Sequence, residues 1–246
     1  MPLTIEKIQA KSAVRLIGLH PVLSAAVRRL IDRCFAKGVP ILITQGMRTA
    51  AEQDKLYAQG RTQTELDAAG VSKVKARPDL PKVTNARSGY SYHNYGLAVD
   101  FALLLPDGTG VSWDMKRDGD GDRTVDWTEV VQEAKALGME WGGDWSSFKD
   151  YPHLQMCLGL SLAELRSGAK PSDAAVEAAY RIMNAKEEQL VKCEMTNPIK
   201  VNGVKIADGF IEDGVTYAPV RAVAEALGAN VGYVAAEQTV EIVTGK

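Results

Sequence analysis

Two histidines and one acid stand where a metal ion could be held. His93 lies in Ser91-Tyr92-His93-Asn94-Tyr95-Gly96, Asp100 inside the apolar run Leu97 to Leu105, and His153 in Asp150-Tyr151-Pro152-His153. Two imidazoles and a carboxylate suit a tetrahedral zinc ion that keeps its fourth position open. Such an ion activates water near neutral pH and polarises a carbonyl, and amide hydrolysis needs both effects. Asp150, close before His153, is placed to take a proton from the attacking water and pass it to the leaving amine, as general base and then acid. Arg48, always charged and forked, could steady the oxyanion or grip a substrate carboxylate, and the sequence leaves both roles open.

Each of these residues also has a plainer reading. A single histidine is more often a hydrogen-bonded structural residue than a ligand, and His20 in Leu19-His20-Pro21 is read that way. Asp150 alone would be a solvated turn acid, and Arg48 alone a surface residue at a helix start. Asp100 resists this treatment. A carboxylate among Leu97, Ala98, Val99 and Phe101 is costly to bury unless a cation or hydrogen bonds compensate it, so either a metal or a salt bridge is required.

A second candidate metal site lies downstream. Asp118, Asp120, Asp122, Thr124, Asp126 and Glu129 occupy positions 1, 3, 5, 7, 9 and 12 of a loop, the ligand order of an EF-hand calcium site. Arg123 stands where such loops carry glycine. The alternative is a solvated acidic loop in which Asp126 and Glu129 serve as a helix cap.

The elements that must position these groups can be read from periodicity. Leu23, Val27, Leu30, Ile31 and Cys34 recur at helical spacing over Val22 to Gly38, and Ile41 to Thr44 reads as a buried strand. Ala50 to Ala58 reads as a helix, which puts Arg48 at a strand–helix junction. Residues 60–89 are polar and proline-interrupted, with a short helix expected over Thr64 to Ala69. Leu97 to Leu105 reads as a central strand, Asp126 as the cap of a helix stopped by Gly138, and Tyr151 to Cys157 as a further strand. Gly168 to Ser172 is linker-like, a helix is expected over Asp173 to Glu188, and a new pattern starts near Leu190. The domain expectation is therefore a main domain over 1–167, a linker and helix over 168–189, and a small module over 190–246.

In that module Val201-Asn202-Gly203-Val204 reads as a hairpin, Arg221 to Leu227 as a helix stopped by Gly228, and Val240 to Val243 as an alternating strand.

Composition narrows the partners. The 246 residues are 46% hydrophobic, ample for a packed core, and a formal charge of −2 leaves no electrostatic footprint for nucleic acid. Cys34, Cys157 and Cys193 are scattered, which supports neither a disulfide framework nor a thiolate zinc site. No apolar run is long enough to span a bilayer, and the opening Met1-Pro2-Leu3-Thr4-Ile5-Glu6-Lys7 lacks the form of a signal peptide. The expectation is synthesis in the cytoplasm without membrane insertion, with any target beyond it reached by release or another export route.

Ser91-x-His93-x-x-Gly96-x-Ala98-x-Asp100, followed by Glu140-Trp141-Gly142-Gly143-Asp144-Trp145 and Asp150-Tyr151-Pro152-His153, resembles the VanY-like zinc D-alanyl-D-alanine carboxypeptidase superfamily. Upstream, Leu19-His20-Pro21, Gly46-Met47-Arg48-Thr49, Glu52-Gln53 and Leu56 to Thr62 are similar to its L-alanyl-D-glutamate endopeptidase branch, found in phage endolysins and bacterial autolysins. The resemblance spans residues 10–160. It implies an α+β fold with helices on a small antiparallel sheet and bacterial peptidoglycan as substrate. It also implies zinc on His93, Asp100 and His153, Asp150 as acid/base, and Arg48, Gln53 and Ser91 at the substrate. Release of terminal D-alanine by a carboxypeptidase, or a wall-binding protein that keeps its metal without catalysis, are the rivals.

Ile199 to Gly203 and Tyr217 to Gly228 resemble the small stalk domain named after the N-terminal region of copper amine oxidases, which implies an accessory module of bacterial surface proteins, expected to bind wall material or to aid assembly. Five basic against nine acidic residues from Glu187 onward argue against simple attraction to anionic polymers, and the absence of histidine there argues against copper.

Overall fold

The computed structural model describes residues 3–194, 197–212, 215–234 and 239–244. The chain folds as two compact units, the first ending at Met183 and the second beginning at Asn184.

The first unit opens with helices α1 (Ile5–Ala13) and α2 (Pro21–Ala36) and strand β1 (Ile41–Gln45). Pro21 sits at the first helical position of α2, where its missing N–H costs nothing, and His20 Nδ1 accepts from the Val22 N–H at 3.4 Å. His20 is therefore a helix-start residue, as expected. The apolar spacing of α2 buries Val22, Leu23, Ala26, Val27, Leu30, Ile31 and Cys34, and Gly38, at φ +88°, ends the run.

Helices α3 (Ala50–Tyr57) and α4 (Gln63–Ala68) follow, each started by a reciprocal cap: Thr49 with Glu52 and Thr62 with Glu65. The irregular stretch beyond α4 is held by buried Arg61. Its guanidinium donates to the carbonyls of Tyr57 and Thr84 and lies 3.8 Å over the Tyr57 ring.

Strand β2 (Ala98–Leu104) is the centre of an antiparallel sheet ordered β1-β2-β5-β4, with β3 (Val111–Ser112) paired to the far end of β2. Helix α5 (Asp126–Ala136) leads to β4 (Glu140–Trp141) and then β5 (His153–Gln155). Helices α6 (Leu162–Arg166) and α7 (Asp173–Glu194) complete the series. One face of β2 carries Val99, Phe101 and Leu103 into a core shared with α2, α5 and Leu154, where Phe101 meets Trp127 at 4.6 Å between centroids. Its neighbours are buried as well, which is why the strand reads as a continuous apolar run.

Two expectations are corrected. Asp126 does not cap α5: Val125 holds the cap position and Asp126 is the first helical residue, its Oδ1 accepting instead from the Gly119 N–H at 2.8 Å. Helix α7 runs on through Leu190, where a new element was expected, because no glycine or proline interrupts the chain before Pro198.

The second unit contains β6 (Asn197–Val201), β7 (Val204–Glu212) and β8 (Val215–Tyr217) in one antiparallel sheet. Helix α8 (Val220–Ala226) precedes an antiparallel pair, β9 (Ala229–Val234) and β10 (Thr239–Thr244). Asn202 and Gly203 have φ of 50° and 83°, the paired positive values of a two-residue hairpin turn that matches strand twist. Both units mix helices with antiparallel strands, the expected α+β class. Among the described residues no helix is long and apolar enough to cross a membrane.

Candidate active site

The register of the sheet brings the chemistry together. Asp100 of β2 pairs directly with His153 of β5 and, across a bulge in β1, with Gln45. Directly paired residues share a face, so Asp100 and His153 project together on the side of β2 opposite Phe101. His93 reaches the same point from a single helical turn, Tyr92–Tyr95, closed by Gly96 at φ +66°. A side chain at position 96 would place its Cβ 2.4 Å from the Gly18 carbonyl oxygen, so both backbone shape and space demand glycine.

Hydrogen bonds aim the two imidazoles. His93 Nδ1 lies 2.8 Å from the Gly46 carbonyl oxygen, to which it must donate, leaving the Nε2 lone pair facing inward. His153 Nε2 lies 2.9 Å from Gln155 Oε1, and Gln155 Nε2 donates to Glu140 Oε2 at 2.8 Å. That chain orients Gln155 as the acceptor and leaves the His153 Nδ1 lone pair facing His93. The inward nitrogens are 3.2 Å apart, and Asp100 Oδ1 lies 3.2 Å from one and 3.4 Å from the other. Three acceptors thus converge on one point. Ligands about 2.0–2.1 Å from a tetrahedral ion sit roughly 3.3 Å from one another, so the spacing fits such an ion.

Asp100 does not choose between metal and salt bridge. Its Oδ1 belongs to the imidazole cluster while Oδ2 accepts from Arg48 Nη2 at 3.3 Å. Burial would raise its carboxyl, but positive charge on the two imidazoles, when they are protonated, more than reverses this and holds it well below the usual carboxylate range.

Arg48 is buried, not a surface residue. Its Nη1 donates to Gln53 Oε1 at 2.8 Å, and its Nε has no acceptor. Gln53 is fully buried and donates from Nε2 to the Ala86 carbonyl at 2.7 Å. The expectation that Gln53 touches substrate is therefore corrected: both ends of its amide are used to fix Arg48 against the 83–86 segment.

Asp150 stands beside the cluster, its carboxyl raised by burial and by the charge of Asp100, against the opposing pull of His153, His93 and Arg48. The segment around it is tightly laced. Asp150 N–H donates to the Gly142 carbonyl at 3.1 Å, His153 N–H to the Asp150 carbonyl at 3.2 Å, and Trp141 Nε1 to the Tyr151 carbonyl at 2.7 Å. A Cβ on Gly142 would meet the Asp150 carbonyl oxygen at 2.4 Å. Gly142→Ala should therefore displace Asp150 and His153 together. Thermal melting is expected to drop by several degrees and hydrolysis by at least about tenfold; wild-type values for both would show that the segment yields without consequence.

A cavity of about 660 Å³ opens over these residues. Arg48, His93, Asp100, Asp150 and His153 line it together with Ser91. Trp145 of the 140–145 motif gives it an aromatic wall together with Trp113 and Phe148, which the sequence did not single out. Gln155 was also missed, although His153-Leu154-Gln155 in a strand puts both polar residues on one face. The acidic loop lies elsewhere: among its members Asp118, Asp120 and Asp122 form one group of carboxylates, and Asp120, Asp126 and Glu129 another. Cys34 and Cys157 are free, as expected.

Residues 84–156 match the D-alanyl-D-alanine carboxypeptidase family, and residues 200–246 match the copper amine oxidase N-terminal domain. The chain is 48% identical over 138 residues to the peptidoglycan L-alanyl-D-glutamate endopeptidase CwlK of Bacillus subtilis (strain 168), covering 56% of this chain and 73% of that protein. It is 31% identical over 156 residues to the L-alanyl-D-glutamate peptidase of Listeria phage A118, covering 63% of this chain and 44% of that one. Among solved structures, the L-Ala D-Glu endopeptidase ChiX of Serratia marcescens aligns with 27% identity and a TM-score of 0.37, over 60% of this chain and 87% of that one. With 48% identity to CwlK over 73% of that protein, and with residues 84–156 matching the family model, the chain belongs to the L-alanyl-D-glutamate endopeptidase branch of the D-alanyl-D-alanine carboxypeptidase family.

Proposed function

We propose that this chain is a peptidoglycan hydrolase that uses zinc to cleave the L-alanyl-D-glutamate bond of the cell-wall stem peptide. The observation that carries the reading is the convergence of His93 Nε2, His153 Nδ1 and Asp100 Oδ1 within 3.4 Å of one another, each fixed by its own hydrogen bonds, in a chain that shares 48% identity with CwlK.

His93, Asp100 and His153 would hold the zinc ion. When bound, zinc makes water nucleophilic near neutral pH and polarises the scissile carbonyl. Asp150 takes the proton of that water and returns it to the D-glutamate nitrogen as the amide bond breaks, so the proton is conserved through the step. A carboxyl raised by burial suits both halves of this transfer. Arg48 has two parts to play. Its Nη2 orients Asp100, and its guanidinium, which lines the cavity, supplies fixed positive charge for a substrate oxygen. Ser91 and the aromatic wall border the peptide in the cavity. The second unit, which begins at Asn184 within α7, is an accessory module that binds wall material.

Mass analysis of purified stem peptides after incubation with the zinc-loaded chain tests the assignment. Fragments with a new D-glutamate amino terminus are expected. Release of D-alanine alone would make the chain a carboxypeptidase, and intact peptides would remove the hydrolase reading.

A further inference from the structure

Away from the active site, the loop from Asp118 to Glu129 gathers five carboxylates. Asp118, Asp120 and Asp122 are exposed and bring oxygens within 4.8 Å of one another, and Asp120 lies equally close to Asp126 and Glu129. Exposed acids alone would simply be solvated. Glu129 is different: it is only 7% exposed, and its Oε2 is buried without a hydrogen-bond partner. A dry carboxylate oxygen beside other acids is costly, and burial with Asp122 and Asp120 raises its carboxyl. Of the nearby cations, Lys37 Nζ pairs with Glu133 at 2.9 Å and Arg117 Nε with Asp126 of this loop at 3.3 Å, and Glu129 Oε2 is left unpartnered.

We propose that this loop binds one calcium ion through Asp118, Asp120, Asp122, the main-chain oxygen of Thr124 and the Glu129 carboxylate, with Asp126 just outside the ligand shell. Oxygen donors of mixed kind, from a loop closed by a glutamate at its twelfth position, suit calcium better than magnesium, which demands a rigid octahedron. Arg123 is no obstacle at the sixth position. Its φ is 76°, so it makes the left-handed turn that glycine usually makes, and Asp118 Oδ2 accepts its N–H at 3.0 Å. Asp126 is set back because a cation, Arg117, already pairs with its Oδ2, whereas among the described residues Asp118, Asp120 and Asp122 accept only backbone N–H groups of the loop.

The loop begins shortly after Trp113, which lines the cavity, and runs into α5, whose Val130 and Ala134 pack in the core. Calcium would neutralise the Glu129 end of the loop and fix the start of that helix.

Isothermal titration of calcium chloride into the zinc-loaded full chain tests the proposal. One calcium ion per chain is expected, with Kd on the order of 10⁻⁴ M and magnesium at least about tenfold weaker. The melting temperature should rise by about 5 °C in about 10 mM calcium. Glu129→Gln should weaken calcium binding by at least about tenfold with zinc content unchanged. Asp122→Asn, at an exposed position, should do the same should the buried variant not fold. Absence of both binding heat and a melting shift in the parent chain would overturn the site, as would variants that bind calcium as tightly as the parent. Zinc content and hydrolysis are read separately, so failure here leaves the active-site assignment standing.

Discussion

Asp100→Ala is expected to lower hydrolysis by more than about 10³-fold and to leave the purified chain without stoichiometric zinc. The size of the effect follows from the number of groups that depend on this one carboxylate. Its Oδ1 completes the acceptor cluster at 3.2 Å from His93 Nε2 and 3.4 Å from His153 Nδ1, and its Oδ2 lies 3.3 Å from Arg48 Nη2. Alanine removes a metal ligand and leaves the Arg48 guanidinium, only 10% exposed, without its carboxylate partner. Breaking a buried charge pair from one side costs about 3–5 kcal/mol, so the melting temperature should fall as well. Zinc quantitation, peptide hydrolysis and a thermal melt on one preparation check all three. Near-parental zinc and activity would show that the two histidines hold the metal unaided.

Asp150→Asn should separate catalysis from metal binding. The rate constant kcat is expected to fall by about 10²- to 10⁴-fold with one zinc per chain retained and KM little changed. Asp150 is outside the group of His93, Asp100 and His153 whose donor atoms converge. Its backbone bonds with Gly142 and His153 do not depend on the side chain, and asparagine preserves its volume. Parental kcat in this variant would assign proton transfer to another group, and loss of zinc would make Asp150 part of the metal's support.

Much of this arrangement was legible in residue types. The apolar period of α2, the buried run of β2 and the helical stretches of α3 and α4 are local signals that tertiary packing reinforces. Asp100 was legible as a misplaced acid because the cost of burying a carboxylate does not depend on knowing its partners. Its place with His93 and His153 was legible from residue type, but its pairing with Arg48 was not. Arg48 looks like a surface residue at a helix start, and only the docking of the 83–86 segment on Gln53 shows that it is buried. For the same reason Gln53 was expected at the substrate, whereas its contacts run to groups 5 and 33 residues distant. Asp126 illustrates a local rule overridden. It stands near a helix start as a capping acid should, but the Gly119 N–H and Arg117 compete for its carboxylate, and Val125 takes the cap position. Most of the aromatic wall was invisible because Trp113 and Phe148 come from loops without periodicity, brought together by the folded sheet.

The central claim concerns three atoms, and crystals of the zinc-loaded chain measured on either side of the zinc absorption edge test it most directly. The anomalous difference map should show one peak about 2.0–2.2 Å from His93 Nε2, His153 Nδ1 and Asp100 Oδ1, with the fourth direction open to the cavity. No peak at that point in a hydrolytically active preparation, or a peak held by other residues, would contradict the account.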